Sequence, residues 1–369
     1  MAAIELPTEA RRILIIKPSA LGDVVHALPI LNLLRLRWPK AHIAWLENPA
    51  FAGILEGHPQ IDEVIRFERH RFGHGWWHPG AALDLIQFLW ALRQKQFDLV
   101  IDLQGLFRSG WLTWTTGSPT RVGFADAREL GWIFYNHRVR VEGRDQHALE
   151  RYLNIAEALG CGRAPVVFQF PAAEALAEPI GEPYAVLLPG TNWETKKWPI
   201  ESFAQLVQPL REQFGLRTVV AGAKDAVELA ARMRPITEGE DWIDLTGKTS
   251  LKQLIALLAG AAVVVANDSG PMHIASALGR PLVTMFGPTN PVMTGPYKRM
   301  DTVVRLNILC SPCYSRKCSH QSCLKWLNAS SVLDAIAEQL QQQPLSLAGS
   351  LASRASIDKE NGPRAGRLN

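Results

Sequence analysis

The run Arg12-Ile-Leu-Ile-Ile-Lys17 passes directly into Pro18-Ser-Ala-Leu-Gly-Asp-Val-Val-His26, and this junction constrains the fold more than any other stretch. A short aliphatic, β-branched run reads as a strand buried in a parallel sheet. Beyond it, Val24, Leu28, Leu31, Leu34 and Leu36 fall mostly on one helical face. Leu21-Gly22-Asp23 therefore lies on a strand-to-helix turn, at the sheet's carboxyl edge, where α/β proteins bind ligands. Gly22 lets a ligand approach the backbone closely, and Asp23 sets a carboxylate beside it. Capping the helix is the alternative role for Asp23, because helix starts favour Asp.

Strand-like and helix-like runs alternate through the chain. Strands are expected at 12–17, 42–46, 63–67, 99–103 and 139–142, then at 184–188, 218–221, 242–245, 262–266 and 281–286. Amphipathic helices are expected at 24–38, 80–95, 106–114 and 146–159, then at 200–214, 225–234, 250–259 and 272–278. The stretch 83–92 reads as core. Repeated βα alternation predicts doubly wound parallel sheets. It breaks once, at 164–183, where Pro165, Pro171, Pro179 and Pro183 mark a linker. The expected organisation is an extension at 1–10, an α/β domain at 11–165, a linker at 166–183, a second α/β domain at 184–343 and a disordered tail at 344–369. The default ligand site is the cleft between the halves.

With a net charge of +4, the chain is not a globally basic nucleic-acid binder. Positive charge is clustered instead, at Arg35, Arg37 and Lys40, at Arg66, Arg69 and Arg71, and at Arg138, Arg140 and Arg144. The N-terminus carries Glu5 and Glu9 and no apolar signal segment, and no run reaches the roughly 18 apolar residues of a membrane span. The expected location is cytoplasmic, peripheral on a membrane. The segment 70–78 interleaves basic charge with Trp76 and Trp77, which suits an anionic lipid surface; an ordinary surface loop is the alternative. Trp193 and Trp198 read as loop aromatics open to an interface.

The second half carries an anion site. Pro189-Gly-Thr-Asn-Trp-Glu-Thr-Lys-Lys-Trp-Pro199 follows a strand and offers Thr191, Lys196 and Lys197. Asn267-Asp-Ser-Gly-Pro-Met-His273 follows another strand and opens a helix, whose free N–H groups and dipole attract phosphate. Asp268, Ser269 and Gly270 suit close contact with a diphosphate; Asp268 and Ser269 as mere caps are the alternative. After the strand at 218–221, Asp225 or Glu228 could accept ribose hydroxyls. No Walker motif and no intact G-x-G-x-x-G follows a strand, which argues against P-loop hydrolysis and NAD chemistry. A nucleotide diphosphate on one half and a carboxylate on the other is what glycosyl transfer needs: cations for the leaving group, a base for the acceptor hydroxyl.

Four of the five cysteines, Cys310, Cys313, Cys318 and Cys323, cluster, and Cys161 stands apart. The cluster is a candidate structural zinc site, with His320 as a substitute ligand; free or disulfide-paired thiols are the alternative. His26 and His273 also read as structural histidines.

These residues resemble glycosyltransferase family 9, the ADP-heptose–lipopolysaccharide heptosyltransferases. The matches are Lys17-Pro-Ser-Ala-Leu-Gly-Asp-Val-Val-His-Ala-Leu-Pro29, Asp102-Leu-Gln-Gly-Leu106, Phe134-Tyr-Asn136, Gln146-His-Ala-Leu-Glu-Arg151, Lys196-Lys-Trp-Pro199, Asn267-Asp-Ser-Gly-Pro-Met-His273 and Phe286-Gly-Pro-Thr289. They span residues 11–340 in consistent order. The resemblance implies a GT-B fold, two Rossmann-like domains facing a central cleft, with acceptor bound by the first and nucleotide sugar by the second. It implies inverting transfer of L-glycero-D-manno-heptose from ADP-heptose to the Kdo inner-core region of lipopolysaccharide, with no cofactor or metal required. The Gln146–Arg151 motif and Asp126-Ala-Arg-Glu129 look more like enzymes adding the first heptose than those adding the second.

By motif, Asp23 resembles the general base, with Asp102 in reserve. Thr191, Lys196, Asp268, Ser269, Gly270 and His273 fall to the donor, and Asp225 and Glu228 join them by position after Gly222, where the sequence departs from the family pattern. Gly22, Gln104, Arg66, Arg128 and Arg151 fall to a lipid-linked Kdo acceptor, whose carboxylates Arg can hold bidentately. Asn192 departs from the pattern, standing where some relatives have a second hydroxyl. Rival readings are second-heptose transfer, a different donor sugar, and a nucleotide-sugar-binding scaffold without turnover.

Overall fold

A computed structural model describes residues 9–68, 79–141, 143 and 145–342. Most of the extension at 1–10, Arg69, Arg71, Arg144, the segment 70–78 with Trp76 and Trp77, and the tail at 344–369 lie outside the described residues.

The chain forms two six-stranded parallel sheets. In the first, β1 (Arg12–Ile16), β2 (His42–Glu47), β3 (Glu63–Arg66), β4 (Leu99–Asp102), β5 (Thr120–Phe124) and β6 (His137–Val139) lie in the order β3-β2-β1-β4-β5-β6. In the second, β7 (Tyr184–Leu188), β8 (Arg217–Val220), β9 (Trp242–Asp244), β10 (Val263–Asn267), β11 (Leu282–Met285) and β12 (Val303–Val304) lie in the order β12-β11-β10-β7-β8-β9. Residues 161–183 run between them without helix or strand.

Strand alternation explains the packing. Ile13 and Ile15 face the largest core, while Leu14 and Ile16 face a smaller one on the opposite side of the sheet. The largest core also takes in Val186, Val264 and Met272 of the second sheet and its helices. The halves therefore share one hydrophobic interior, while each keeps a core of its own on the far face of its sheet. Its central contact is helix Leu21–Ala27 packed against helix Gly270–Ala277.

Each strand order reverses once, between β1 and β4 in the first sheet and between β7 and β10 in the second. A crevice opens at such a reversal, outside the carboxyl ends of the two strands. The loops there carry Asp23 and Gln104 on one side, Thr191 and Asp268 on the other.

Several boundaries differ from the sequence reading. The helix expected at 24–38 is two, Leu21–Ala27 and Pro29–Arg37, because Pro29 has no N–H to continue the ladder. That expected at 200–214 is likewise Ile200–Ala204 and Val207–Phe214, with Pro209 in the first turn of the second. Strand β5 was not expected: Thr120-Arg-Val-Gly-Phe124 is no apolar run, yet it pairs with β4 and β6. The stretch 83–92 is not core. On helix Pro79–Gln94, Leu83, Ile86 and Trp90 are 54%, 62% and 65% exposed, although Leu92 is buried. Trp198 is buried rather than open, its indole N–H donating to the Leu327 carbonyl. Among the described residues no helix is long and apolar enough to cross a membrane.

Candidate functional site

Asp23 is the third residue of helix Leu21–Ala27. Its carboxylate accepts the Ala20 N–H at 3.3 Å, so it does cap the helix, and it also pairs with Lys17 Nζ at 3.5 Å. The two roles coexist because the Asp23 side chain remains 43% exposed whereas that of Lys17 is 4% exposed. Lys17 ends the first strand and sits over the Tyr152 ring, 5.4 Å from its centroid. Burial alone would lower the Lys17 pKa, but Asp23 and Tyr152 outweigh it and the pKa is raised. Burial likewise opposes ionisation of Asp23; Lys17, His26 and the Ala20 N–H overcome it and hold the carboxyl below its ordinary value. Asp23 is thus ionised, and able to accept a proton, across the neutral range.

Beside this pair lies a cavity of about 180 Å³, whose lining includes Lys17, Asp23, Gln104, Arg128, Arg151 and Tyr152. Arg151 is steadied by Asp126, with Nη2 2.9 Å from Oδ1, and by stacking over Phe124. Gln104 accepts the Ser19 N–H at 3.3 Å. Asp102 is fully buried: Oδ1 takes the N–H groups of Gln104 and Gly105, and Oδ2 takes the Tyr135 hydroxyl at 2.6 Å. With its oxygens engaged, Asp102 shapes the Gln104–Gly105 turn rather than facing the cavity as a base. Arg66 does not join this group. It pairs with Glu56 at the end of β3 and does not appear in the cavity lining.

In the second half a buried amide ties the loops together. Asn267 donates to the Pro189 carbonyl at 2.8 Å and accepts the Trp198 N–H at 3.0 Å, joining the segments after β7 and β10. Thr191 donates to the Asp268 carbonyl at 2.9 Å. Asp268 Oδ2 lies 2.7 Å from Lys196 Nζ and accepts the Thr289 hydroxyl at 2.6 Å. Lys196 also lies over the Trp193 ring, 4.6 Å from its centroid. A cation is thereby fixed beside the start of helix Gly270–Ala277, where Ser269 keeps a buried hydroxyl with no partner among the described residues. Asp225 sits on the rim near Gly190, and Glu228 is exposed on helix Val227–Met233. His273 is buried between the halves.

The sequence reading did not single out Lys17, Tyr152, Asp126, Asn267 or Thr289. Lys17 was legible as a charge ending an apolar strand. The others become partners only through the fold.

Among the described residues no group of three or more His, Cys, Asp or Glu side chains is placed to hold a metal. Cys310, Cys313 and Cys318 share a loop without forming such a set; Cys310 and Cys313 are exposed, and Cys323 packs into the second sheet's core.

Lys196→Ala removes the cation held by Asp268, and the diphosphate role expected of this loop from the sequence is tested by it. ADP binding by calorimetry should weaken by on the order of 1.5–3 kcal/mol; unchanged ADP affinity would contradict the role of this loop.

A model of glycosyltransferase family 9 (heptosyltransferase) matches residues 85–324. Lipopolysaccharide heptosyltransferase 1 of Pseudomonas aeruginosa is 34% identical over 317 residues, covering 84% of this chain and 88% of the relative. Lipopolysaccharide heptosyltransferase 1 of Escherichia coli K12 is 33% identical over 303 residues, covering 80% and 93%. The solved structure of E. coli heptosyltransferase WaaC with ADP-2-deoxy-2-fluoro heptose aligns with a TM-score of 0.72 at 30% identity, covering 89% of this chain and 99% of that one. Together with the paired switch-point loops, these similarities show that the chain belongs to glycosyltransferase family 9, the heptosyltransferases.

Proposed function

We propose that the protein transfers L-glycero-D-manno-heptose from ADP-heptose to the Kdo region of a lipopolysaccharide inner core, with inversion and without a catalytic metal. The observation that carries this is the ionised Asp23 in a cation-lined cavity, on a helix packed directly against the helix that follows the Lys196–Asp268 site. Similarity to relatives named for ADP-heptose chemistry supports the donor.

In this reading the acceptor hydroxyl lies within about 2.6–3.2 Å of Asp23, which takes its proton as the oxygen attacks the anomeric carbon. The ADP oxygen leaves from the opposite face, its charge met by Lys196 and the amides at Ser269 and Gly270. Thr191 and Asp268 hold that loop, and Asp225 and Glu228 are the acids available to the ribose. Arg128 and Arg151, with Lys17, give the acceptor's carboxylates their counter-charges, and the Gln104 amide offers a neutral hydrogen bond. Domain boundaries at residues 165 and 183 divide acceptor from donor binding.

A lipid-anchored acceptor requires docking on a membrane. The exposed Leu83, Ile86 and Trp90, at helical spacing, form an apolar face that suits shallow insertion, on the chain segment that follows the basic residues Arg69 and Arg71. This supports peripheral association with the anionic cytoplasmic face of the inner membrane. Ile86→Glu with Trp90→Glu should cut co-sedimentation with phosphatidylethanolamine–phosphatidylglycerol vesicles and raise KM for a lipid-anchored acceptor while leaving ADP affinity intact. Undiminished vesicle binding would remove this face from the account.

The direct test is ADP release and product mass with ADP-heptose and a Kdo-bearing lipid A acceptor. The proposal requires turnover and the mass of one added heptose. Turnover only on an acceptor already bearing heptose would indicate second-heptose transfer. A preference for another nucleotide sugar would change the donor. Donor binding without ADP release would leave a scaffold.

A further inference from the structure

The two helices that join the halves interlock through a reciprocal pair of glycines. A Cβ on Gly22 would overlap the His273 ring, coming within 3.0 Å of its Nε2. A Cβ on Gly270 would lie 2.7 Å from the Leu21 Cβ. Each helix thus presents, in its first turn, a glycine that receives a side chain of the other: Gly22 takes His273, and Gly270 takes Leu21. The His273 ring also meets the edge of His26, with centroids 4.2 Å apart, and His26 in turn meets His147 at 4.7 Å. His147 closes the arrangement from the first half by hydrogen bonding through Nε2 to the Gly295 carbonyl at 3.0 Å. Yet His273 Nδ1 is buried with no hydrogen-bond partner among the described residues. On the Nδ1 side the ring is held by packing alone.

We infer that Leu21, Gly22, Gly270 and His273 form a steric interdomain lock that fixes the distance between Asp23 and the diphosphate site, making His273 and Leu21 positioning residues for transfer. The inference rests on the function proposed above for its catalytic consequence, and on packing alone for the lock itself. It gives Gly22 a reason distinct from acceptor contact: the residue is small because His273 occupies the space a side chain would need. Asp23 directly follows Gly22, and Ser269 directly precedes Gly270. A displacement of about 1 Å between the helices therefore moves the base relative to the leaving group, an error that oriented reactions tolerate poorly.

The test is a size-swap cycle with two readouts on full-length protein: transfer kinetics, and hydrogen exchange of the amides in helix Gly270–Ala277 with ADP bound. Gly22→Ala alone should speed exchange in that helix and lower kcat, with little change in acceptor KM. Adding His273→Ala, which vacates the space, should remove most of that added effect, giving a coupling of about tenfold between the two sites. The same cycle with Gly270→Ala and Leu21→Gly, which removes the Leu21 Cβ as well as its branch, interrogates the other half of the lock and serves if Gly22→Ala fails to fold. An equal effect of the glycine substitution in both backgrounds, in either cycle, overturns the lock. So does a loss confined to acceptor KM. If no heptose transfer occurs with any variant, the function proposed above fails, and the exchange data still decide whether the glycines couple to their partners.

Discussion

A lysine ending a buried strand has to find an anion, and Lys17 finds it in Asp23. A charge with 4% of its side chain exposed is costly unless paired, and breaking a buried pair commonly costs about 3–5 kcal/mol. The open edge of Asp23 places this pair towards the lower end. The pairing has three consequences. It holds Asp23 ionised, it aims the carboxylate towards the cavity, and it draws Tyr152 and the neighbouring Arg151 into the cavity wall. The Ala20 N–H, satisfied by the same carboxylate, ties the start of the helix to the base. Capping and the proposed role as base are therefore compatible, because Oδ2 serves both the helix and Lys17 while the side chain stays half-open to the cleft.

The second half solves the same problem with opposite charge. Its reversal of strand order lies between β7 and β10, where Asn267 binds the two loops through its side-chain amide. On that brace Asp268 positions Lys196 beside the start of helix Gly270–Ala277. Anionic Asp268 next to the proposed phosphate site would be unfavourable alone. Pairing with Lys196 and the Thr289 hydroxyl offsets its charge and makes it a holder of the cation. A carboxylate buttressed by a lysine lies on one side, and a lysine buttressed by a carboxylate on the other, of the joint where helices Leu21–Ala27 and Gly270–Ala277 pack together.

Much of this was legible in the sequence. The run Arg12–Ile16 named its own strand because parallel strands buried on both faces are continuously apolar, and the loops at Asp23, Lys196 and Asp268 followed from their positions after such strands. Less legible were features set by distant partners. Strand β5 is made by pairing with β4 and β6, not by its own composition. The stretch 83–92 has the apolar content of a core helix, and its exposure depends on what the sheet leaves uncovered. Asp102 looks like a free acid until Tyr135, distant in sequence, is brought onto its second oxygen. Arg66 looks available to an acceptor until Glu56 is seen beside it. The shared core, which makes the two α/β halves one packed unit at their contact, has no local signature at all.

Asp23 is the base on which the proposed transfer depends. Asp23→Asn preserves shape and an acceptor for the Ala20 N–H while removing basicity. Steady-state transfer, measured on variant protein shown to be folded by circular dichroism and by unchanged ADP affinity, should show kcat lower by roughly 10²–10⁴-fold. Turnover at the wild-type rate would contradict the account and leave Asp23 as a helix cap paired with Lys17.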